Sequence, residues 1–338
     1  MDVHHLFAPA TVQTVVLPVT GGPARTRTNT ARTNTVRPDG TALCSLALVL
    51  LFLPAAGACL LPFALLAHRG LGAPLWVGYG LWFASALCYG LRPVQLGMAR
   101  LLWPIRRPTE AERERLERIW RQVSSHAGVA GRRFRIRVVD LPEVNAHSVG
   151  RDLVCVTTGA LGELGDRELA GVLAHELGHH LRMHTSASAF LVWVLLPLQG
   201  IALLGTLLAA PPAALARKLA DSRLEHPWAP GCARGAWRLG HGIRAVFAAP
   251  GVAAFAAKNA AGRSAEYRVD AFAVDVGLGP ELLSALRWFA AGEAAAAASA
   301  CREGRSGRAR HAAVRIPRPT HPPLERRMAR IAARVERG

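Results

Sequence analysis

The chain carries apolar runs too long and too free of charge to be the core of an ordinary water-soluble domain. Thr41–Ala67 contains no Asp, Glu, Lys or Arg, and Leu71–Leu91 and Ala187–Ala210 repeat the pattern. A helix of about 20 such residues crosses a bilayer. In lipid only a helix or a closed barrel satisfies its own backbone polar groups. The first run far exceeds the apolar region of a signal peptide. The second carries Trp76, Tyr79, Trp82 and Tyr89, which suit membrane interfaces, so the two together read as a transmembrane hairpin. Leu239–Ala257 is a poorer fourth candidate, with His241, Arg244 and Pro250 inside it.

The charge pattern sets an orientation. There are 41 Lys+Arg against 23 Asp+Glu, a net charge of +18. Nucleic acid is not the expected partner, because the arginines flank the apolar segments. Arg25, Arg27, Arg32 and Arg37 precede the first hairpin, and Arg92, Arg100, Arg106 and Arg107 follow it. By the positive-inside rule the N-terminus and the chain after Arg92 are cytoplasmic. The six cysteines form no C-x-x-C, in keeping with a reducing compartment. Residues 1–40, rich in Thr, Pro and Arg, read as a disordered basic tail.

The rest has soluble character. Thr109 and Glu112 form a capping box behind Pro108, and Leu116, Ile119, Trp120 and Val123 make that helix's apolar stripe. Its arginines, Arg113, Arg115, Arg118 and Arg121, form either a lipid-headgroup face or a solvated one. Arg133–Val139 alternates as a strand, and Arg151–Thr157 is β-branched, with a turn-rich segment Leu141–Gly150 between them. Helices are expected from Asp166 to about Thr185, over Ser264–Val276 and Pro280–Ala300, and over Pro322–Val335.

The helix from Asp166 carries His175, Glu176 and His179 in the pattern His-Glu-x-x-His. Residues four apart share a helix face, so two imidazoles can grip one zinc ion. Glu176 then reaches a water on the same metal as general base. Zinc hydrolases take a third protein ligand. Glu266, with Asp270 four residues on, is the best candidate: one carboxylate could bind metal while the other accepts a ligand's free N–H. From spacing alone, a surface acid pair is the simpler reading. A second i, i+4 pair, His180 and His184, has no Glu after His180; it is a surface pair or stands behind the metal ligands, and no functional role is the simpler reading for both.

The stretches NAHSVG (Asn145–Gly150), TTGAL (Thr157–Leu161), AHELGHH, SAEYRVDAFA (Ser264–Ala273) and THPPLERR (Thr320–Arg327) together resemble the M48 family of membrane zinc metallopeptidases, of HtpX and Ste24 type. The resemblance covers roughly Thr109 onward. It implies His175, His179 and Glu266 as ligands of one zinc ion and Glu176 as base. Asp270 would orient a ligand and His321 would approach the active site. Asn145 and Ala146 would begin the edge strand that receives substrate.

The expected fold is therefore α+β and mostly helical, with about four transmembrane helices and a zincin-like catalytic domain. Its parts are a tail (1–40), a first membrane hairpin (41–96), the first catalytic part (97–185), a second hairpin (186–258) and the second catalytic part (259–338). His179 and Glu266 must reach one ion, so the chain between them crosses the membrane an even number of times, which favours Leu239–Ala257 as a span. Ser186 follows His179 by seven residues, about 10 Å of helix, which puts the zinc near the cytoplasmic face of the cell membrane. The expected partners are polypeptides, membrane proteins foremost, and the bilayer. A specific Ste24-like processing protease and a non-proteolytic sensor or scaffold that keeps its metal are the alternatives.

Overall fold

The computed structural model describes residues 36–221, 228–302 and 322–337. The fold is mostly helical with one small sheet. In order the elements are α1 (Gly40–Leu71), α2 (Leu75–Cys88), α3 (Arg92–Leu102), β1 (Ile105–Arg106), α4 (Glu110–His126), β2 (Arg135–Val139), β3 (Ala146–Val149), β4 (Leu153–Thr157), α5 (Thr158–Glu163), α6 (Asp166–Leu181), α7 (His184–Asp221), α8 (Ala229–Asp275), α9 (Gly279–Arg302) and α10 (Leu324–Arg337). The chain divides into two compact units, one from residues up to 42, 90–187 and 261 onward, the other from 43–89 and 188–260.

The second unit is the apolar one. Among the described residues three helices, Gly40–Leu71, His184–Ala220 and Pro230–Asp275, are long and apolar enough to cross a membrane. The second expected span, Leu71–Leu91, is short: α2 has 14 residues, about 21 Å of helix, because Gly72 (φ 66°) and Pro74 delay its start and it ends at Cys88. Leu191, Val194, Leu195 and Leu198 pack on Val49 and Ala254 in its interior. Trp193 stacks with Trp82 and with Tyr89 and donates its indole N–H to Ser85 Oγ at 2.9 Å. Leu50, Leu51, Phe63, Leu66, Trp76, Leu87 and Val246 point outward, a surface suited to lipid rather than water. Pro211 and Pro212 are carried inside α7.

The first unit holds the sheet, ordered β1-β2-β4-β3. β2 and β4, the two strands evident from the sequence, pair in parallel from Arg135–Leu153 to Val139–Thr157. β1 and β3 flank them antiparallel, so β3 is an edge. β4 is buried along its whole length. One core joins the sheet to α4, α6, α9 and α10 through Leu116, Ile119, Val138, Val154, Leu173, Leu177, Leu282 and Ile331.

The capping box at α4 forms as read: Thr109 N–H donates to Glu112 Oε2 at 2.7 Å and Glu112 N–H to Thr109 Oγ1 at 3.4 Å. Arg106 grips the same carboxylate with two bonds, 2.6 and 2.8 Å, and holds its pKa down to about 2 from 4.5. The folded state thus holds this proton less tightly than the unfolded one. Its stabilisation is complete above about pH 4.5 and is lost as pH falls towards 2. Glu112→Ala should lower the thermal midpoint by about 2–4 °C at neutral pH, from roughly 1 kcal/mol, and the gap to wild type should close on acidification. Thermal unfolding of the detergent-solubilised protein across that pH range checks both. On the same helix Arg115 and Arg118 bind Asp166, and Arg115 also donates to the carbonyls of Leu161 and Leu164, so two of the four arginines tie α4 to the start of α6.

α6 packs at two glycines. A Cβ on Gly171 would lie 2.2 Å from the Leu282 backbone nitrogen, and one on Gly178 3.0–3.1 Å from Phe272 and Val269 side chains. Backbone cannot swing aside as a side chain can. Gly171→Ala should therefore push α9 off α6 and cost about 1–3 kcal/mol, read as a lower thermal midpoint and faster limited proteolysis.

Candidate metal centre

α6 forms because Leu169, Val172, Leu173 and Leu177 give it a buried side and Asp166 and Glu168 suit its first turn. It presents His175, Glu176 and His179 towards α8. The close approach at Gly178 lets α8 bring Glu266 to the same point. His175 Nε2 and His179 Nε2 are 3.3 Å apart. Glu266 Oε2 lies 3.5 Å from the first, and its Oε1 3.5 Å from the second. Tetrahedral zinc with bonds of about 2.0–2.1 Å separates its ligand atoms by roughly 3.3–3.4 Å, so the donor triangle has the size the ion needs.

The charge balance fits a cation too. Glu176, Glu266 and Asp270 are buried around this point with one guanidinium, that of Arg327. A divalent ion would balance the two uncompensated negative charges. Burial pulls the pKa of His175 down, but Asp270 and Glu266 outweigh it and raise it to about 9. The cluster favours positive charge at its centre.

The surroundings fix the candidate ligands. His175 Nδ1 lies 2.9 Å from Asp270 Oδ1, so that nitrogen keeps its proton, and Nε2 is the one turned inward, where a metal would take the place of the second proton. Asp270 is held by both prongs of Arg327: Nε donates to Oδ2 at 2.8 Å and Nη2 to Oδ1 at 2.7 Å, while Nη1 stands 3.4 Å from Glu266 Oε2. Arg327 is 6% exposed. α10, which carries it, is further tied by Arg330 stacked 3.9 Å over the Tyr267 ring. Glu176 has a partner on the edge strand: the Ser148 hydroxyl is 2.7 Å from its Oε2 and 2.8 Å from its backbone oxygen.

The structure thus brings together His175, Glu176, His179, Glu266 and Asp270. His321 lies outside the described residues. Asn145 has its backbone committed to β4: its C=O accepts from Thr157 N–H, and its N–H donates to Thr157 Oγ1, both at 3.0 Å. Inward and outward backbone groups alternate along an antiparallel pair, so Ala146 and Ser148 turn theirs to the open edge. His180 is buried as a structural residue, with Nε2 3.1 Å from Leu153 O and its ring against Phe134. Reading the sequence missed Arg327 and Ser148. Arg327 had a signal, as the charge on an otherwise apolar stripe of Leu324, Met328, Ile331 and Val335. Ser148 had a weaker one, two residues from Ala146 on one strand face.

Comparison with known proteins agrees in kind. The model of peptidase family M48 matches residues 110–335. The chain is similar to a protease HtpX homolog of Tropheryma whipplei, 34% identical over 123 residues, which are 35% of this chain and 40% of that protein. It is similar to one of Acidiphilium cryptum, 49% identical over 49 residues, 13% of this chain and 17% of that protein. The chain thus matches less than half the length of these curated relatives. Among solved structures it is similar to S. mikatae Ste24p, with a TM-score of 0.43 and 16% identity, over 88% of this chain and 67% of that one.

Proposed function

The chain belongs to peptidase family M48, and from that premise we propose that it is a membrane-bound, zinc-dependent endopeptidase of membrane or misfolded proteins. The observation that carries the reading is the triangle of His175, His179 and Glu266 with Glu176 beside it, at the separations a tetrahedral ion requires.

His175, His179 and Glu266 would hold one zinc ion per chain. Bound there, zinc would act as a Lewis acid, acidifying a water and polarising the scissile carbonyl. Glu176 takes the proton of the attacking water and returns it to the departing amine. Ser148 holds the carboxylate of Glu176 in place for both transfers. Asp270, clamped by Arg327, keeps His175 in the tautomer that points Nε2 inward. An extended substrate adds to the open edge of β3 through the backbone of Ala146 and Ser148.

The arginines after the first hairpin support a catalytic unit on the cytoplasmic side. The apolar helices α1, α7 and α8 support several membrane crossings, and the position of α7 and the first part of α8 between His179 and Glu266 in sequence supports a pair that returns the chain to the side it left.

Chelation tests the reading. The detergent-solubilised protein should carry one zinc per chain and cleave casein. A strong chelator should remove both metal and activity, and equimolar zinc should restore them. Cleavage that persists after the zinc is gone would overturn the proposal.

A further inference from the structure

Met183 is the only non-glycine residue with positive φ, 60°, among the described residues. An L-residue there costs on the order of 1–2 kcal/mol, and such a position persists when its surroundings require it. Here it breaks the helix between α6 and α7. On an unbroken helix, residues five apart point about 140° away from each other. The break instead sets His184 against His179, with Nδ1 to Nδ1 at 3.4 Å and ring centroids 5.5 Å apart.

His184 is buried, and its other nitrogen, Nε2, lies 2.8 Å from Asp39 Oδ1. Asp39 precedes α1 and is itself fixed. It accepts the N–H groups of Thr41 and Ala42 at 2.8 and 3.1 Å, and Arg268 stands 3.3 Å from its second oxygen. The segment before it is docked rather than trailing: Arg37 N–H donates to Leu181 C=O at 2.9 Å, and Val36 packs on the core.

The proton order follows from the ring chemistry. His179 turns Nε2 to the ligand triangle, so its neutral ring carries the proton on Nδ1. That N–H donates to His184 Nδ1. His184 must then carry its own proton on Nε2, in ion-pair contact with the Asp39 carboxylate without an aligned hydrogen bond. His175 has the carboxylate of Asp270 directly behind it, and His179 has one at the remove of a single imidazole.

We propose that His184 and Asp39 are positioning residues for the metal ligand His179, a carboxylate–imidazole relay that fixes its tautomer and ring orientation from the segment ahead of α1. This rests on the zinc reading of the site. Groups placed behind ligating histidines typically change metal affinity by about 10–100-fold when altered.

The test uses the full-length protein in detergent, loaded with Zn²⁺ alone and challenged with excess chromogenic chelator, the readout being the rate of zinc loss. Asp39→Asn and His184→Gln should each speed release about 10–100-fold. The double variant should be no faster than His184→Gln, because the links act in series. Asn still caps a helix, so Asp39→Asn separates the relay from the cap of α1. A merely structural role would lower the thermal midpoint of the zinc-free protein and leave zinc release at the wild-type rate. Release within twofold of wild type in either single variant, or effects that multiply in the double, overturns the relay while leaving the zinc site standing. A wild type that holds no zinc, or an Asp270→Asn variant that releases it no faster, fails the zinc reading and the relay with it.

Discussion

Glu176→Gln should abolish peptide hydrolysis and leave the metal in place. Gln keeps the size of the side chain and an oxygen for the Ser148 hydroxyl, so the edge strand stays tied to α6. The residue is not one of the three convergent donors, so zinc content should stay at one per chain. What goes is the proton shuttle, worth about 10²–10⁴-fold in rate. Wild type and variant, both zinc-loaded, are compared on casein and on self-cleavage. Equal activity would remove Glu176 from the mechanism. A wild type that binds one zinc and cleaves nothing would make the chain a metal-holding sensor or scaffold instead.

The second large effect is expected at Arg327→Leu, far from the motif in sequence. The guanidinium is the buried counter-charge for Asp270, gripped by two bonds, and stands beside Glu266. Leucine suits the apolar stripe of α10 but leaves two carboxylates buried without it. Breaking a buried pair from one side costs about 3–5 kcal/mol, which for a domain of this size is roughly 6–20 °C in the thermal midpoint. The loss should be largest in zinc-free protein, because the ion takes over part of the neutralisation. Arg327→Lys restores the charge but not the fork and should fall between the two. Arg330→Ala, which removes only an exposed cation–π contact, should cost about 1 kcal/mol or less and serves as the control. Thermal unfolding with and without zinc reads all three, and an Arg327→Leu protein as stable as wild type would refute the role given to Arg327.

How legible a feature was in the sequence followed the range of the physics behind it. His175, Glu176 and His179 were readable because helix geometry alone puts them on one face. The long apolar helices were readable by length, and β2 and β4 by alternation and branching. Glu266 and Asp270 needed the family resemblance, since their meeting with α6 depends on tertiary packing that spacing does not encode. β1 has two residues and exists only by pairing with β2, so no local pattern announces it. Arg327 was legible in principle, as a charge among apolar positions. Asp39 left no signal: it is one acid at the end of a basic stretch, and its partners are set by the left-handed turn at Met183.

The order of the proposed ligands along the chain also sets a timetable for biosynthesis. The ribosome delivers His175 and His179 first, then α7, then α8 with Glu266 near its end, and Arg327 later still. A nascent chain that has released only α6 carries His175, Glu176 and His179 but not the complete donor set. The donor triangle closes only after the intervening helices have emerged, and Asp270 gains its clamp only when α10 folds. In the proposed site the donor set and its clamp are therefore incomplete until the end of α8 and then α10 have been made, which follows from where Glu266 and Arg327 lie in the chain.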